Sequence, residues 1–169
     1  MAIKTGDRLP AGTLHEFIDE ETPGCTLGPN AFQVEALTKG KRVAVFAVPG
    51  AFTPTCSAKH APGYVDLADQ LKAAKVDEIW CIAVNDAFVM GAWGKTLGAK
   101  GKVRMFADGS GTYTKALGLE LDLVGKGMGF RSQRYSMLID DGIVKTLNVE
   151  GPGKFEVSDA GTMLTQARK

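Results

Sequence analysis

Few residues in this chain carry side chains able to do covalent chemistry, and one of them stands in a setting built for it. Cys56 closes the stretch Pro49-Gly-Ala-Phe-Thr-Pro-Thr-Cys. Thr53 followed by Pro54 reads as a helix start, with Thr53 as N-cap and Pro54 at the first helical position. Cys56 then falls in the first turn, where unpaired N–H groups and the positive end of the helix dipole favour an anion. Thiolate is the nucleophilic form of cysteine, so this position predicts attack on an electrophile. A free cysteine is more often a small buried hydrophobe. Polar Thr53, Thr55, Ser57 and Lys59 around Cys56 argue for chemistry.

The neighbouring candidates are weaker. His60 stands four residues after Cys56, on the same face if the segment is helical. That spacing admits a Cys–His dyad of the acyl-transferase or hydrolase kind, although no third orienting group is evident and Pro62 should bend or interrupt the helix. Cys81 lies inside Ile-Trp-Cys-Ile-Ala-Val and reads as core packing. Cys25 sits in the turn-rich Thr-Pro-Gly-Cys-Thr-Leu-Gly-Pro with no neighbour to activate it. Gly125 to Gly129 is no phosphate loop, because a loop and a strand follow it instead of a helix. His15 and His60 are the only histidines, and no cysteine pair has ligand spacing, so neither metal nor cofactor is expected.

The elements that must hold Cys56 are legible around it. Arg42 to Val48 is a short apolar run rich in β-branched residues and predicts a buried strand. Tyr64 to Lys75 has helical spacing, and Glu78 to Val84 predicts a second buried strand, so the crossover is right-handed and parallel. A helix through Phe88 to Leu97, a strand at Val103 to Ala107 and a short helix at Thr112 to Leu117 follow. Arg134 to Ile139 and Ile143 to Val149 flank Asp140-Asp141-Gly142, a hairpin signal. A closing helix runs from Ser158 or Asp159 to about Arg168. Parallel βαβ units, then an antiparallel hairpin and a helix, give an α/β fold: a thioredoxin-like mixed sheet flanked by helices.

The whole chain fits one domain over residues 1–169. Net charge is +1 and the one basic cluster, Lys39-Gly-Lys-Arg42, is short, so no nucleic-acid partner is expected. No membrane-length apolar run and no signal-type stretch occur, which predicts a cytoplasmic protein. Three widely spaced cysteines suit a reducing compartment.

Pro49 to Tyr64 resembles the active-site signature of peroxiredoxins, and more fully that of the type II, or peroxiredoxin-5, branch. Cys81 to Trp93, Asp108 to Ser110, Ala116 to Leu123, Arg131 to Glu150 and Gly153 to Ala160 resemble the same branch, in order along most of the chain. The resemblance implies a peroxiredoxin elaboration of the thioredoxin fold. It implies a peroxidase in which Cys56 is the peroxidatic cysteine, Thr53 the hydroxyl residue three before it, Pro49 the shielding proline and Arg134 the active-site arginine. Arg131 is a rival for that last role, with a surface position expected for it, and His60 becomes a supporting or structural residue. A homodimer is implied as well. Some members of the branch carry a second cysteine near the C-terminus, where this chain has Ser158. The expectation is therefore a one-cysteine mechanism, with glutathione or glutaredoxin as reductant. The alternative is Cys25 as resolving cysteine with thioredoxin. A Cys–His hydrolase and a non-catalytic thioredoxin-like binding module are the remaining rivals.

Overall fold

A computed structural model describes residues 1–169. Its centre is a seven-stranded sheet, in the order β2 (Gly28–Gln33), β1 (Thr13–Ile18), β5 (Arg104–Ala107), β4 (Glu78–Ala83), β3 (Arg42–Val48), β8 (Tyr135–Asp140), β9 (Ile143–Val149). Three strands run parallel: β3 (Arg42–Val48), β4 (Glu78–Ala83) and β5 (Arg104–Ala107). β8 (Tyr135–Asp140) lies antiparallel to β3, and β9 (Ile143–Val149) antiparallel to β8. β1 (Thr13–Ile18) pairs antiparallel with β5 and with the edge strand β2 (Gly28–Gln33).

Both faces of the sheet are covered, which is why β3 is apolar along its whole length. Ala44, Phe46 and Val48 point into one core, where they meet Cys81, Tyr64, Leu71, Met90, Trp93 and Met163. Val43, Val45 and Ala47 point into the other, with Trp80, Phe106, Tyr113, Tyr135 and Met137. The two-residue alternation of a strand makes that division. The first face carries helices α2 (Ala61–Asp66), α3 (Ala68–Ala73), α4 (Ala87–Leu97) and α6 (Ala160–Ala167); the second carries α1 (Val34–Thr38) and α5 (Thr112–Leu117).

The predicted strands and helices from Arg42 to Leu117 appear within a residue or two, with one difference. The helix expected over Tyr64 to Lys75 is two helices, broken at Leu67, whose φ of −95° and ψ of 7° leave the helical region. Asp141 and Gly142 both take positive φ, 48° and 78°, as the tight β8–β9 turn requires. Asp159 caps α6 by accepting from the N–H of Thr162. The β1–β2 hairpin has no clear sign in the residue pattern. Pro29 and Asn30 lie within β2, and such residues are tolerated only because that strand is an edge. Nor has the small second sheet, in which β6 (Glu120–Leu123) pairs with β7 (Gly129–Ser132).

Candidate active site

The chain leaves β3 at Val48 and turns through Pro49 to Thr53 before helical winding begins at Pro54. Phe52 holds a positive φ of 64°, uncommon outside glycine. Two hydrogen bonds fix the loop: Asn85 Oδ1 accepts from the N–H of Ala51 at 2.9 Å, and the Gly50 carbonyl accepts from the Thr53 hydroxyl at 2.7 Å. Thr53 does open the helix, since its carbonyl accepts from Ser57 N–H at 2.9 Å. Its hydroxyl, however, is not the expected cap. It is turned back onto Gly50, whose carbonyl lies past the last rung of the sheet. With its one proton committed, this hydroxyl can only accept from a ligand.

Cys56 to His60 form a single wide turn, closed by Ala61 N–H donating to the Cys56 carbonyl. Turns with this five-residue spacing recur at functional sites. Pro62, which has no N–H to offer, sits just beyond it inside α2. Trp93 Nε1 donates to Ser57 Oγ at 3.0 Å and pins the turn from α4. The Cys56 side chain is fully buried.

Tyr135 pairs with Ala47 across the sheet, so β8 begins where β3 ends. Arg134, one residue earlier, therefore emerges beside the cysteine loop. Its Nη2 donates to Cys56 Sγ at 3.1 Å. Its Nη1 lies 2.9 Å from His60 Nδ1. His60 Nε2 is 2.9 Å from the Ser158 carbonyl, which can only accept, so the proton of the neutral ring is on Nε2 and Nδ1 accepts from the arginine. Burial and the facing Arg134 charge hold the pKa of His60 down to about 3. The ring is neutral, and both nitrogens are engaged away from sulfur. His60 is thus no base for Cys56, and the hydrolase-type dyad has no geometry to work with. Its place is behind the arginine, as a positioning residue.

Arg131 departs from the surface position expected of it. It lies in β7, half-buried, with Nε donating to the Met128 carbonyl at 2.9 Å. Its Nη1 stands 3.0 Å from where a Cβ on Gly50 would be. Arg131 pairs with Leu121 in the second sheet and reaches Gly50 from there. Arg134 reaches the sulfur, and Arg131 lies against Gly50 without a bond to the loop.

Residues 4–164 match the Redoxin family. Peroxiredoxin-2B of Arabidopsis thaliana is 51% identical over 162 residues, covering 96% of each chain. The structure of reduced Prx3 in complex with hydrogen peroxide from Vibrio vulnificus superposes with a TM-score of 0.90 at 53% identity, over 98% of this chain and 99% of that one. The chain belongs to the peroxiredoxin family. A structure from Burkholderia cenocepacia, provisionally named a thioredoxin reductase, is 63% identical with a TM-score of 0.96, over 98% of both chains. That name fits the site less well, because Thr53-Pro-Thr-Cys56 lacks the first thiol of a dithiol motif.

This peroxiredoxin is a peroxidase, acting on a peroxide with a thiol as reductant. Its other thiols stand in very different places. Cys81 is fully buried in the middle of β4, opposite Phe46, and burial pushes its thiol pKa well up. Cys25 lies in the β1–β2 turn, at the end of the sheet where Lys100 pairs with Asp19 and Glu20 before β5 begins. Cys56 is at the opposite end, three strands away. The separation is roughly 20 Å, from strand rise and spacing. Beside Arg134 a cavity of about 530 Å³ opens, lined by Pro49, Thr55, Lys59, Gln133 and the 150–156 segment. Asn85, Trp93, Glu150 and Ser158 all support this site, although their residue types and spacing assign none of them a part in it. Asn85 and Glu150 stand just past the ends of β4 and β9, and a place beside a strand end is the only sign of them in the sequence.

Proposed function

We propose that this peroxiredoxin reduces hydrogen peroxide and organic hydroperoxides through Cys56 alone, and that an external thiol restores it. The observation that carries the reading is Arg134 Nη2 at 3.1 Å from Cys56 Sγ. A fixed, permanently charged donor on the sulfur stabilises thiolate and then the charge that moves to the leaving oxygen. Thr53, its own proton held by Gly50, accepts the peroxide O–H and lines up the two oxygens with sulfur. The thiolate attacks one oxygen, the O–O bond breaks, and RO⁻ leaves to take a proton. Cys56–SOH remains.

Glutathione, directly or through glutaredoxin, is the reductant this reading favours. Its thiol displaces water from the sulfenic acid to give a mixed disulfide, and a second thiol releases Cys56. A resolving role for Cys25 within one chain would need Cα atoms within about 7 Å, and it lies at the far end of the sheet. Three unpaired thiols accord with a reducing, cytoplasmic setting. The exposed rings of Phe52 and Phe88, each more than half accessible, are apolar surface a homodimer would cover. The deciding experiment is turnover of hydrogen peroxide with glutathione plus glutaredoxin against thioredoxin, in wild type and C56S. We expect turnover with the first couple and none in C56S. Peroxide turnover retained by C56S would end the reading; preference for thioredoxin would end its second half.

A further inference from the structure

Glu150 takes no part in the chemistry above, yet it is buried, with 8% of its surface exposed. Its carboxylate is saturated. The N–H groups of Glu156 and Val157 donate to it at 2.9 Å, that of Ser158 at 2.8 Å and the Ser158 hydroxyl at 2.7 Å. Burial opposes its charge, but the Ser158 hydroxyl and these N–H groups outweigh it and hold the carboxyl below its usual range. They gather the segment from Gly151 to Ser158 into a strap. That strap starts Gly-Pro-Gly, with Gly153 at a φ of 71°, and has little regular structure of its own.

The strap returns to the site. Ser158 presents its carbonyl to His60 Nε2 and to the Tyr64 hydroxyl, each at 2.9 Å. Phe155 packs against the His60 ring with centroids 4.9 Å apart and lies 5.8 Å from the Arg134 guanidinium. At its other end, Glu150 donates its own N–H to the Arg134 carbonyl at 2.9 Å. A closed ring results. Arg134 binds Glu150 through the backbone, Glu150 binds Ser158, Ser158 binds His60, and His60 binds the Arg134 side chain.

We propose that Glu150 is a positioning residue for the peroxide chemistry: by clamping the strap it holds the Ser158 carbonyl on His60, and so keeps Arg134 on the sulfur. The logic is in the histidine tautomer. A ring protonated on Nε2 offers Nδ1 as an acceptor to Arg134. With the carbonyl withdrawn, nothing fixes that choice, and the Nδ1–H tautomer turns a donor toward the arginine's own N–H. Arg134 then loses its orientation without any residue that touches the sulfur having changed. The inference rests on Arg134 acting at Cys56.

The test compares wild type, E150A, H60Q and E150A/H60Q in the second-order rate with hydrogen peroxide. E150A removes every acceptor and should slow the reaction about tenfold, the scale of one misplaced hydrogen bond. In the H60Q background it should add less than a further twofold, because residues acting through one another are not additive. Ring ¹⁵N shifts should report a single Nε2–H tautomer for His60 in wild type and a mixture in E150A. If E150A does not fold, E150Q, which keeps the shape and loses the charge, should show the same pattern with about a threefold loss. A rate within twofold of wild type, losses that multiply in the double variant, or an unchanged tautomer would each overturn the proposal. The underlying reading fails separately, and visibly, if R134K keeps the wild-type rate.

Discussion

A guanidinium keeps its proton at every pH a cell meets and offers donors in a fixed fork. Arg134 uses that fork on two partners at once, sulfur and His60. A lysine has one compact charge and cannot span both. R134K should slow Cys56 oxidation by about a hundredfold, the cost of losing one donor at a developing charge. R131K should stay within about threefold, since that side chain bonds the Met128 carbonyl of its own segment and not the sulfur. Stopped-flow oxidation of both variants gives the comparison, and a larger loss at Arg131 would reverse the assignment. T53V keeps the shape of Thr53 and removes its acceptor. It should slow peroxide attack about tenfold while the protein melts as a folded one; an unchanged rate would leave Thr53 as a helix start only. His60 predicts a pH effect on stability. Folded, it takes a proton only near a pKa of about 3, whereas unfolded it does so near 6.5. As pH falls through 6.5 the unfolded chain gains a proton that the folded chain refuses, so stability is complete above 6.5 and declines below it. Glu150, also held below its ordinary value of 4.5, adds its own loss only in more acid solution. Melting temperature between pH 6.5 and 5 should therefore fall less steeply in H60Q than in wild type. Equal slopes would place the titrating group elsewhere.

At the scale of elements, the site depends on where strands end. Antiparallel pairing of β3 with β8 brings together residues 78 apart in sequence. A slip of one residue in that register would turn Arg134 to the other face of the sheet. Helix α4 is held against β1 by a close approach at Gly91, where a Cβ would stand 2.8 Å from Phe17 Cβ and 2.9 Å from its Cγ. Neither atom is the free end of a flexible chain. G91A should therefore destabilise the fold by about 1–3 kcal/mol, the usual cost of overpacking, and leave the peroxide rate of the folded protein within about twofold. Denaturant midpoints with parallel kinetics separate the two effects. A matching loss of rate would mean that α4 transmits strain to the site through Trp93 and Ser57.

Over the whole molecule, the three thiols are distributed so that one lies against Arg134, one is sealed in the sheet and one is remote. C25S should leave turnover with glutathione and glutaredoxin unchanged. After one equivalent of peroxide without added thiol, mass spectrometry should find a dimedone-trappable sulfenic acid on Cys56. A disulfide joining Cys25 to Cys56 of a second copy would restore Cys25 as the resolving residue, since the distance argument holds within one chain only.

The sequence by itself determined what short-range physics controls. The apolar run of β3, the Thr-Pro helix start before Cys56, the Asp-Gly turn and the Asp159 cap all depend on neighbours within a few positions, and all are legible there. The peroxiredoxin signature made Cys56 and Arg134 identifiable for the same reason, as local words in a string. Tertiary structure decided what depends on long-range pairing and burial. It sent the Thr53 hydroxyl to Gly50, set Arg131 against the loop, silenced His60 as a base and recruited Glu150 through a strap. Each of these turns on which distant group meets a side chain once water is excluded. Spacing along the chain does not encode that; strand register and the desolvation of the packed core do.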